Sequence, residues 1–565
     1  MTRAEAQSAG ETVRKGLMER WGRGWEQCAI LAAILAINVF LKLPNLGHPA
    51  LKPMDESFHA VVARNLLYDP FKPTLVRDVY EPYDPTDWLS NHVWLHKPVL
   101  PLWIIAISFK LMGVSALALR VPSLILSTLA VALTFLIARR VYGIVAAIVA
   151  SGIQAIIPAI GMIVQGYVFS DAIDVNLLFW TELSLFLMLQ KNRKWVWLSG
   201  AAAGAAFLSK TFPALFVLGP LMLVGAMRAG FVRSSDAGAT ERRNEGFGFT
   251  LLGWAIAFLV IVVPWNIYCA ARFQTEFTAE YGLILTHLSA DVENWASPWD
   301  RLWFQHLPGA MLLFWTTSLV GSVVLTFRAI QLRKWEWLFA PVWIVAVVIP
   351  FTLATSKTPT ATLIAWPAFA MGAGFLIGRA CRGYVVELAA TITVLIAANF
   401  FTGKFISIGW GMTQPFEIMR QAQWIAWHVV AGLCVATLAL LRDVRLTRGR
   451  AAFVAIVLAL LAVPTGRTVL LARSVAKVPQ LPDVVSRVRD AARQLPPNAV
   501  LFIPSRESRR RNEIMFYLDR SAYVLPDDPK EAAQSFKDAR DSGGEVWVLD
   551  PSAGRGGEPM LRAVK

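Results

Sequence analysis

This chain of 565 residues has only 4 cysteines and 7 histidines, and charged residues make up 16% of it. Each shortage excludes something. Cys28, Cys269, Cys381 and Cys434 sit singly in or beside apolar runs without CxxC spacing. Neither a disulfide framework nor a cysteine zinc site is indicated, and packed thiols are expected. No Walker loop, no GxGxxG after a strand and no HExxH occurs. The usual support for nucleotide hydrolysis and for metalloprotease chemistry is therefore missing. So little charge in a chain that is 56% hydrophobic also excludes an ordinary soluble globule.

What the chain has instead is a succession of Leu/Ile/Val/Ala/Phe runs near bilayer-spanning length, recurring almost to the C-terminus. The net charge of +15 would suggest nucleic acid in a soluble protein. Here Arg and Lys gather in short loops between apolar runs, which marks cytoplasmic loops under the positive-inside rule. Arg14, Lys15, Arg20 and Arg23 precede the run at 30–43, placing the N-terminus in the cytoplasm. That run lacks a small-residue cleavage site, so it reads as an uncleaved first helix. Arg139-Arg140 follow the run at 117–138 and belong inside. The intervening stretch 99–112 therefore cannot be a full crossing, and at about fourteen residues it is too short to be one. It reads as a helix in or dipping into the outer interface.

Further inside clusters are Lys191-Asn192-Arg193-Lys194, the loop from Arg228 to Glu245, Arg328 with Arg333-Lys334, Arg379 with Arg382, and Arg442 to Arg450. The spans between them total about thirteen, with 196–228 forming two short helices around Ser209-Lys210-Thr211. An odd count sends the tail outside. From Pro479 the pattern changes to strand (498–503), helix (507–518), strand (522–525), helix opened by Asp528-Pro529, and strand (545–549). The expectation is a polytopic α-helical membrane protein over residues 1–475, with a long first periplasmic loop at about 46–115. A small α/β periplasmic domain is expected over 476–565. The basic stretch Arg506 to Arg511 reads as a solvated face, with phosphate head groups as the alternative.

Residues able to carry chemistry fall on the outer side. Asp55 and Glu56 follow the first span, in Pro53-Met54-Asp55-Glu56-Ser57-Phe58-His59. Acids beside a bilayer are costly to desolvate, so they mark chemistry or ion binding, although a helix start also favours them. The same loop holds Glu81, Asp84, Asp87, His92, His96 and Lys97. His92 and His96 are four apart and on a helix would share a face suited to a divalent cation, but Pro98 disfavours helix there. Lys97 is placed to bind a phosphate by point charge, or else to snorkel. Asp171 and Asp174, three apart, would share a helical face and supply a general base or hold a cation. Lys210 and Lys357 sit at outward breaks between apolar runs. Acids beside cations on one face of a bundle suit a cavity for an anionic group such as lipid phosphate, though snorkelling lysines would look alike in sequence.

Four stretches resemble the polytopic GT-C glycosyltransferases that use polyprenyl-phosphate sugars, the group of the lipid A aminoarabinose transferases and protein O-mannosyltransferases. They are Pro53-Met54-Asp55-Glu56, His96-Lys97-Pro98-Val99-Leu100-Pro101-Leu102-Trp103, Ala118-Leu119-Arg120-Val121-Pro122-Ser123 and Ala138-Arg139-Arg140-Val141-Tyr142-Gly143. Leu208-Ser209-Lys210, Val263-Pro264-Trp265 and Ser356-Lys357-Thr358-Pro359 are similar too. In the last, Ala361 and Ile364 stand where the family often has an aromatic residue and a further proline. The resemblance implies sugar transfer, with inversion, from an undecaprenyl-phosphate-type donor to a periplasmic acceptor: lipid A or another glycolipid, a polysaccharide or a protein. It implies Asp55 as general base, Asp174 assisting, Glu56 beside them, and Lys97 on the lipid phosphate. Arg120 is a secondary phosphate candidate, with His96, Asp171, Lys210 and Lys357 around the substrate. No cofactor is implied with certainty, a divalent cation stays open, and nucleic acid is not expected. The expected setting is the bacterial inner membrane, as a monomer. The rival class, a lipid or solute transporter, usually shows repeated halves with matching broken helices, and no convincing internal repeat is present.

Overall fold

The computed structural model describes residues 24–79, 83–84, 92–166, 172–192, 194–228, 247–286, 289–291, 295–407, 444–446, 448–475, 488, 493, 495–550 and 561–564. Asp171, Glu81, Asp87, Cys434 and the stretch 408–443 lie outside these residues.

The first apolar run folds as α1 (Gly24–Lys42) and stops short of Pro44. The loop after it carries a short helix, α2 (Asp55–Asn65), and leads to α3 (Leu100–Met112), which begins with Pro101 in its first turn. At 13 residues α3 is apolar but below spanning length, as the loop charges require. It is followed by α4 (Ala116–Val141), capped by the Ser115 side chain accepting from the Ala118 amide. Next come α5 (Ile144–Ile156) and α6 (Pro158–Val164), bent by 50° at Pro158. Then follow α7 (Ala172–Met188) and α8 (Lys194–Lys210), and α9 (Leu218–Arg228), which is separated from α8 by the break at Thr211 expected there.

The remaining bundle helices are α10 (Phe247–Arg272), α11 (Gln274–Thr286), α12 (Trp315–Gln331), α13 (Phe339–Leu353), α14 (Trp366–Cys381), α15 (Val385–Ser407) and α16 (Arg450–Val475). Seven described helices are long and apolar enough to cross a membrane, or eight if α5 and α6 form one span. The expectation was about thirteen. Part of the difference is length, because α7 and α8 have 17 residues each, at the short end of what can cross a bilayer.

α14 runs through the centre of the bundle, its apolar window wholly buried, with Trp366 and Phe369 packed among Trp315, Trp343 and Phe339. Close approach there depends on glycine: a Cβ on Gly321 would overlap the Gly372 backbone. Two buried carboxylates in the bundle are held by partners from other helices. Glu182 of α7 accepts from Thr134 of α4 and Gln154 of α5, both at 2.9 Å. Glu387 of α15 accepts from Arg328 at 2.9 Å and Arg379 at 2.6 Å.

The C-terminal stretch holds β1 (Ala499–Pro504), α17 (Arg511–Leu518), β2 (Ala522–Leu525), α18 (Pro529–Asp541), β3 (Glu545–Leu549) and β4 (Leu561–Ala563). The sheet order is β2-β1-β3-β4, the first three parallel and β4 antiparallel. Parallel neighbours need crossovers, and α17 and α18 supply them. The strand Leu561–Ala563 carries too short an apolar pattern to have been read from sequence.

One ion pair positions the loop between α1 and α3. Glu56 and Arg120 are each 4% exposed, with Arg120 Nε 2.6 Å from Glu56 Oε1 and Nη2 3.1 Å from Oε2. The same guanidinium donates to the carbonyls of Leu46 (3.1 Å), His48 (2.8 Å) and Ala50 (2.9 Å). The Lys52 amide donates to Glu56 Oε2 at 2.6 Å. Arg120 thus directs its donors at the loop carbonyls and at Glu56, and Glu56 is its buried partner. Removing one partner of such a pair strands a buried charge, so Arg120→Ala should lower stability by about 3–5 kcal/mol. Thermal unfolding in detergent should show this, and an Arg120→Met, Glu56→Leu double variant should recover most of the loss.

Candidate functional site

The acid-bearing helix α2 opens without a side-chain cap, and Met54 before it lies at φ 75°, ψ −128°, a conformation rarely taken by a residue with a Cβ. Successive residues on a helix differ in direction by about 100°. Glu56 therefore turns into Arg120 while Asp55, half-exposed, faces elsewhere. One turn on from Asp55, on the same face, lies His59, which is fully buried.

His59 is where the separate motifs meet. Asp55, Lys97 and Lys210 are all close enough to act on its charge. Burial above all pushes the imidazole down from 6.5 to about 4; Lys97 and Lys210 push the same way and Asp55 opposes them. Trp94, also buried, packs its ring 5.8 Å from His59, 5.7 Å from Phe58 and 5.8 Å from His96. His96 therefore lies in the wall of the cluster, against the indole.

Lys210 is the last residue of α8, and it ion-pairs with Asp174 in the first turn of α7. Asp174 is buried and its Oδ2 has no hydrogen bond among the described residues, so one oxygen is held by lysine and one is not. Thr211, directly after Lys210, has φ 41° and ψ −125°, a second strained non-glycine residue beside a charged one. Gly166 packs directly against the Glu56–Arg120 pair. It has φ +72°, and a Cβ there would overlap the Glu56 carboxylate and lie 2.8 Å from Arg120 Nε.

The other expected residues lie differently. Lys357 is buried, its Nζ donating to the carbonyls of Ser297 at 2.7 Å and of Ala354. His92 does not share a helical face with His96, because residues 92–96 are not helical, as Pro98 disfavours. Its Nε2 instead lies 3.9 Å from Glu276 Oε1 on α11. Among the described residues no group of three His, Cys, Asp or Glu is placed to hold a metal ion.

Two features escaped the sequence. His59 was legible only as an i+4 neighbour of Asp55. Glu280, one turn after Glu276 on α11, is buried against the Leu95 region, and burial pushes its carboxyl up to about 9. At neutral pH it is a protonated acid. Tyr83 lies near both glutamates, and burial raises its phenol pKa further.

The comparisons with known proteins bear on the family resemblance and the fold. Residues 96–235 match the family described as dolichyl-phosphate-mannose-protein mannosyltransferase. The undecaprenyl phosphate-alpha-4-amino-4-deoxy-L-arabinose arabinosyl transferase of Pseudomonas aeruginosa (strain PAO1) is 24% identical over 358 residues, covering 59% of this chain and 56% of the relative. The chain thus spans little more than half the length of such curated relatives. An uncharacterized protein of Aquifex aeolicus is 25% identical over 385 residues, covering 65% and 68%. Among solved structures, ArnT from Cupriavidus metallidurans bound to undecaprenyl phosphate superposes with TM-score 0.60 at 18% identity, covering 93% of each chain. The oligosaccharyltransferase AglB of Archaeoglobus fulgidus, in complex with an inhibitory peptide and a dolichol-phosphate, gives TM-score 0.51 at 12% identity, covering 94% of this chain and 70% of its own. The chain resembles the GT-C glycosyltransferases, as its motifs imply, and has an ArnT-like fold.

The buried imidazole makes stability depend on pH in a defined direction. The unfolded chain binds a proton at His59 below pH 6.5, the folded chain only below about 4. Its contribution is therefore fully present above pH 6.5 and is lost as pH falls through this window, by about 3 kcal/mol. Unfolding midpoints between pH 4 and 7.5 should show that acid limb, and His59→Gln should flatten it.

Proposed function

We propose that this chain is an inner-membrane glycosyltransferase that moves a sugar from an undecaprenyl-phosphate-type lipid to a periplasmic acceptor, with inversion at the anomeric carbon. The observation that carries this reading is the convergence of Asp55, Lys97 and the Lys210–Asp174 pair around His59, from four separate chain segments. The likeness to ArnT supplies the fold.

In this reading the acceptor hydroxyl attacks the anomeric carbon from the face opposite the lipid phosphate. The new C–O bond forms as the bond from carbon to phosphate oxygen breaks. The acceptor's proton passes to Asp55, and the electron pair leaves on the polyprenyl phosphate. Phosphate is a good leaving group, so the protein needs only a base, alignment and charge stabilisation. Lys97 meets the phosphate by point charge. Asp174 holds Lys210 and leaves one oxygen available for a donor or acceptor hydroxyl. His59, kept neutral by burial, lines the site without adding a third positive charge to it. About thirteen spans, a cytoplasmic N-terminus and a periplasmic sheet-bearing unit complete the arrangement we propose, with the chain acting as a monomer. The acceptor class is a glycolipid such as lipid A, a polysaccharide or a protein.

Mass spectrometry of envelope glycans from a deletion strain should reveal the missing product, and membranes from that strain then provide the assay. Asp55→Asn keeps shape and hydrogen bonding but not basicity, so transfer should slow by about a hundredfold or more with donor binding intact. Full transfer by this variant would remove Asp55 from the mechanism. Lys97→Ala should weaken use of the lipid donor by about tenfold or more, and Lys97→Arg by less. Unchanged donor kinetics in Lys97→Ala would reduce the lysine to a snorkelling one.

A further inference from the structure

The C-terminal unit contacts the acid-bearing helix at both ends through charged and polar groups. At the start, the Leu51 amide donates to Glu513 Oε1 at 3.0 Å, and the Tyr517 hydroxyl donates to the Pro49 carbonyl. Leu51 and Glu513 are both buried, at 1% and 5% exposure. At the end, Arg64 Nη1 donates to the carbonyls of Met515 (2.6 Å) and Phe516 (2.7 Å) in the last turn of α17. Asp519, just past that helix, lies 3.3 Å from Arg64 Nε and 2.8 Å from Arg77 Nη2, and accepts from the Tyr68 hydroxyl at 2.7 Å. The stretch leading into α2 is thus tied to Glu513 and Tyr517 of α17, and the end of α2 to the last turn of α17 and to Asp519. The cationic Arg64 meets the carbonyl end of α17, where the helix dipole favours positive charge.

This tether lies opposite the Arg120 anchor. Arg120 holds the carbonyls of 46, 48 and 50 from the bundle side, while Glu513 and Tyr517 hold residues 51 and 49 from the C-terminal unit. Between the two grips and Asp55 stands Met54 in its strained conformation. A residue at φ 75° persists only where its surroundings over-determine it.

We propose that the C-terminal unit is a brace that sets the position of Asp55, with Glu513 and Arg64 as positioning residues. Neither touches substrate: Glu513 fixes residue 51, four positions before the acid, and Arg64 fixes the far end of its helix. The proposal rests on the reading of Asp55 as base. It predicts that loosening the brace lowers the rate of chemistry while the lipid site, built on Lys97 from another segment, is unaffected.

The test uses full-length chain in membranes of the deletion strain, following the glycan that the strain lacks. Undecaprenyl phosphate serves as competitor to report occupancy of the donor site. Glu513→Ala should lower the turnover rate by about tenfold or more, since small misplacements of a reacting group carry such penalties. The undecaprenyl phosphate concentration for half-inhibition should stay within about twofold. Glu513→Gln keeps an acceptor for the Leu51 amide and should restore most of the rate. Hydrogen exchange of residues 49–55 should rise in Glu513→Ala only. Wild-type turnover by Glu513→Ala, or equal loss in Glu513→Ala and Glu513→Gln, overturns the brace. Asp55→Asn separates the two failures: if it abolishes transfer while Glu513→Ala does not, the reading of Asp55 stands and the brace falls. Arg64→Lys, which keeps the charge but not the two-carbonyl fork, should lie between wild type and Glu513→Ala in turnover, and wild-type turnover there counts against the brace.

Discussion

The arrangement of the loop between α1 and α3 depends on a single buried ion pair, Glu56 with Arg120. Burying two charges costs several kcal/mol of desolvation, recovered only when the geometry is good and every remaining donor and lone pair is used. Here both oxygens of the carboxylate accept from the guanidinium, and Oε2 also takes the Lys52 amide. The rest of the guanidinium serves carbonyls of residues 46, 48 and 50. An irregular stretch of chain next to a membrane has few ways to satisfy its backbone carbonyls, and a forked cation on the end of α4 satisfies three at once. Gly166 then lies directly on the pair. Gly166 and Glu56, more than a hundred residues apart in sequence, are brought together at this contact.

The charges around His59 follow from that placement. Lys97 enters from the stretch before α3, Lys210 from the end of α8, and Asp174 from the start of α7 with the lysine as its partner. Two acids and two lysines of different origin make a site whose charges balance without substrate. The strained residues Met54 and Thr211 stand one position from Asp55 and Lys210. Such strain persists only in a scaffold rigid enough to hold it, and around Met54 that scaffold is the Arg120 anchor on one side and the C-terminal unit on the other.

Much of this was legible in the sequence, and the parts that were not share a cause. Residues 99–112 were read as too short to cross because Arg139-Arg140 had to lie inside, and α3 forms as a 13-residue helix. The break at Ser209-Lys210-Thr211 and the strands at 522–525 and 545–549 were readable from local pattern. Asp55, Lys97, Lys210 and Asp174 were readable as charges on one face. The partnerships were not. Nothing local distinguishes Glu56, buried on Arg120 sixty-four residues away, from Asp55 beside it, nor shows that Arg120 spends its donors on loop carbonyls. The buried Glu280, far along the chain from the residues it packs on, was equally invisible. Spacing reads a helix face; it does not read which distant element covers that face.

The split between Asp55 and Glu56 shows how adjacent acids come to serve different ends. A helix turns by about 100° per residue, so neighbours cannot face the same partner. With Glu56 committed to Arg120, helix geometry sets the direction of Asp55 relative to it, and His59 one turn later shares that direction. A longer loop or a glycine at position 56 would leave Asp55 free to rotate with its segment. The ion pair removes that freedom at the residue next to Asp55. The pair of acids that first draws attention in the sequence is therefore best understood as one anchored carboxylate and one aimed by it.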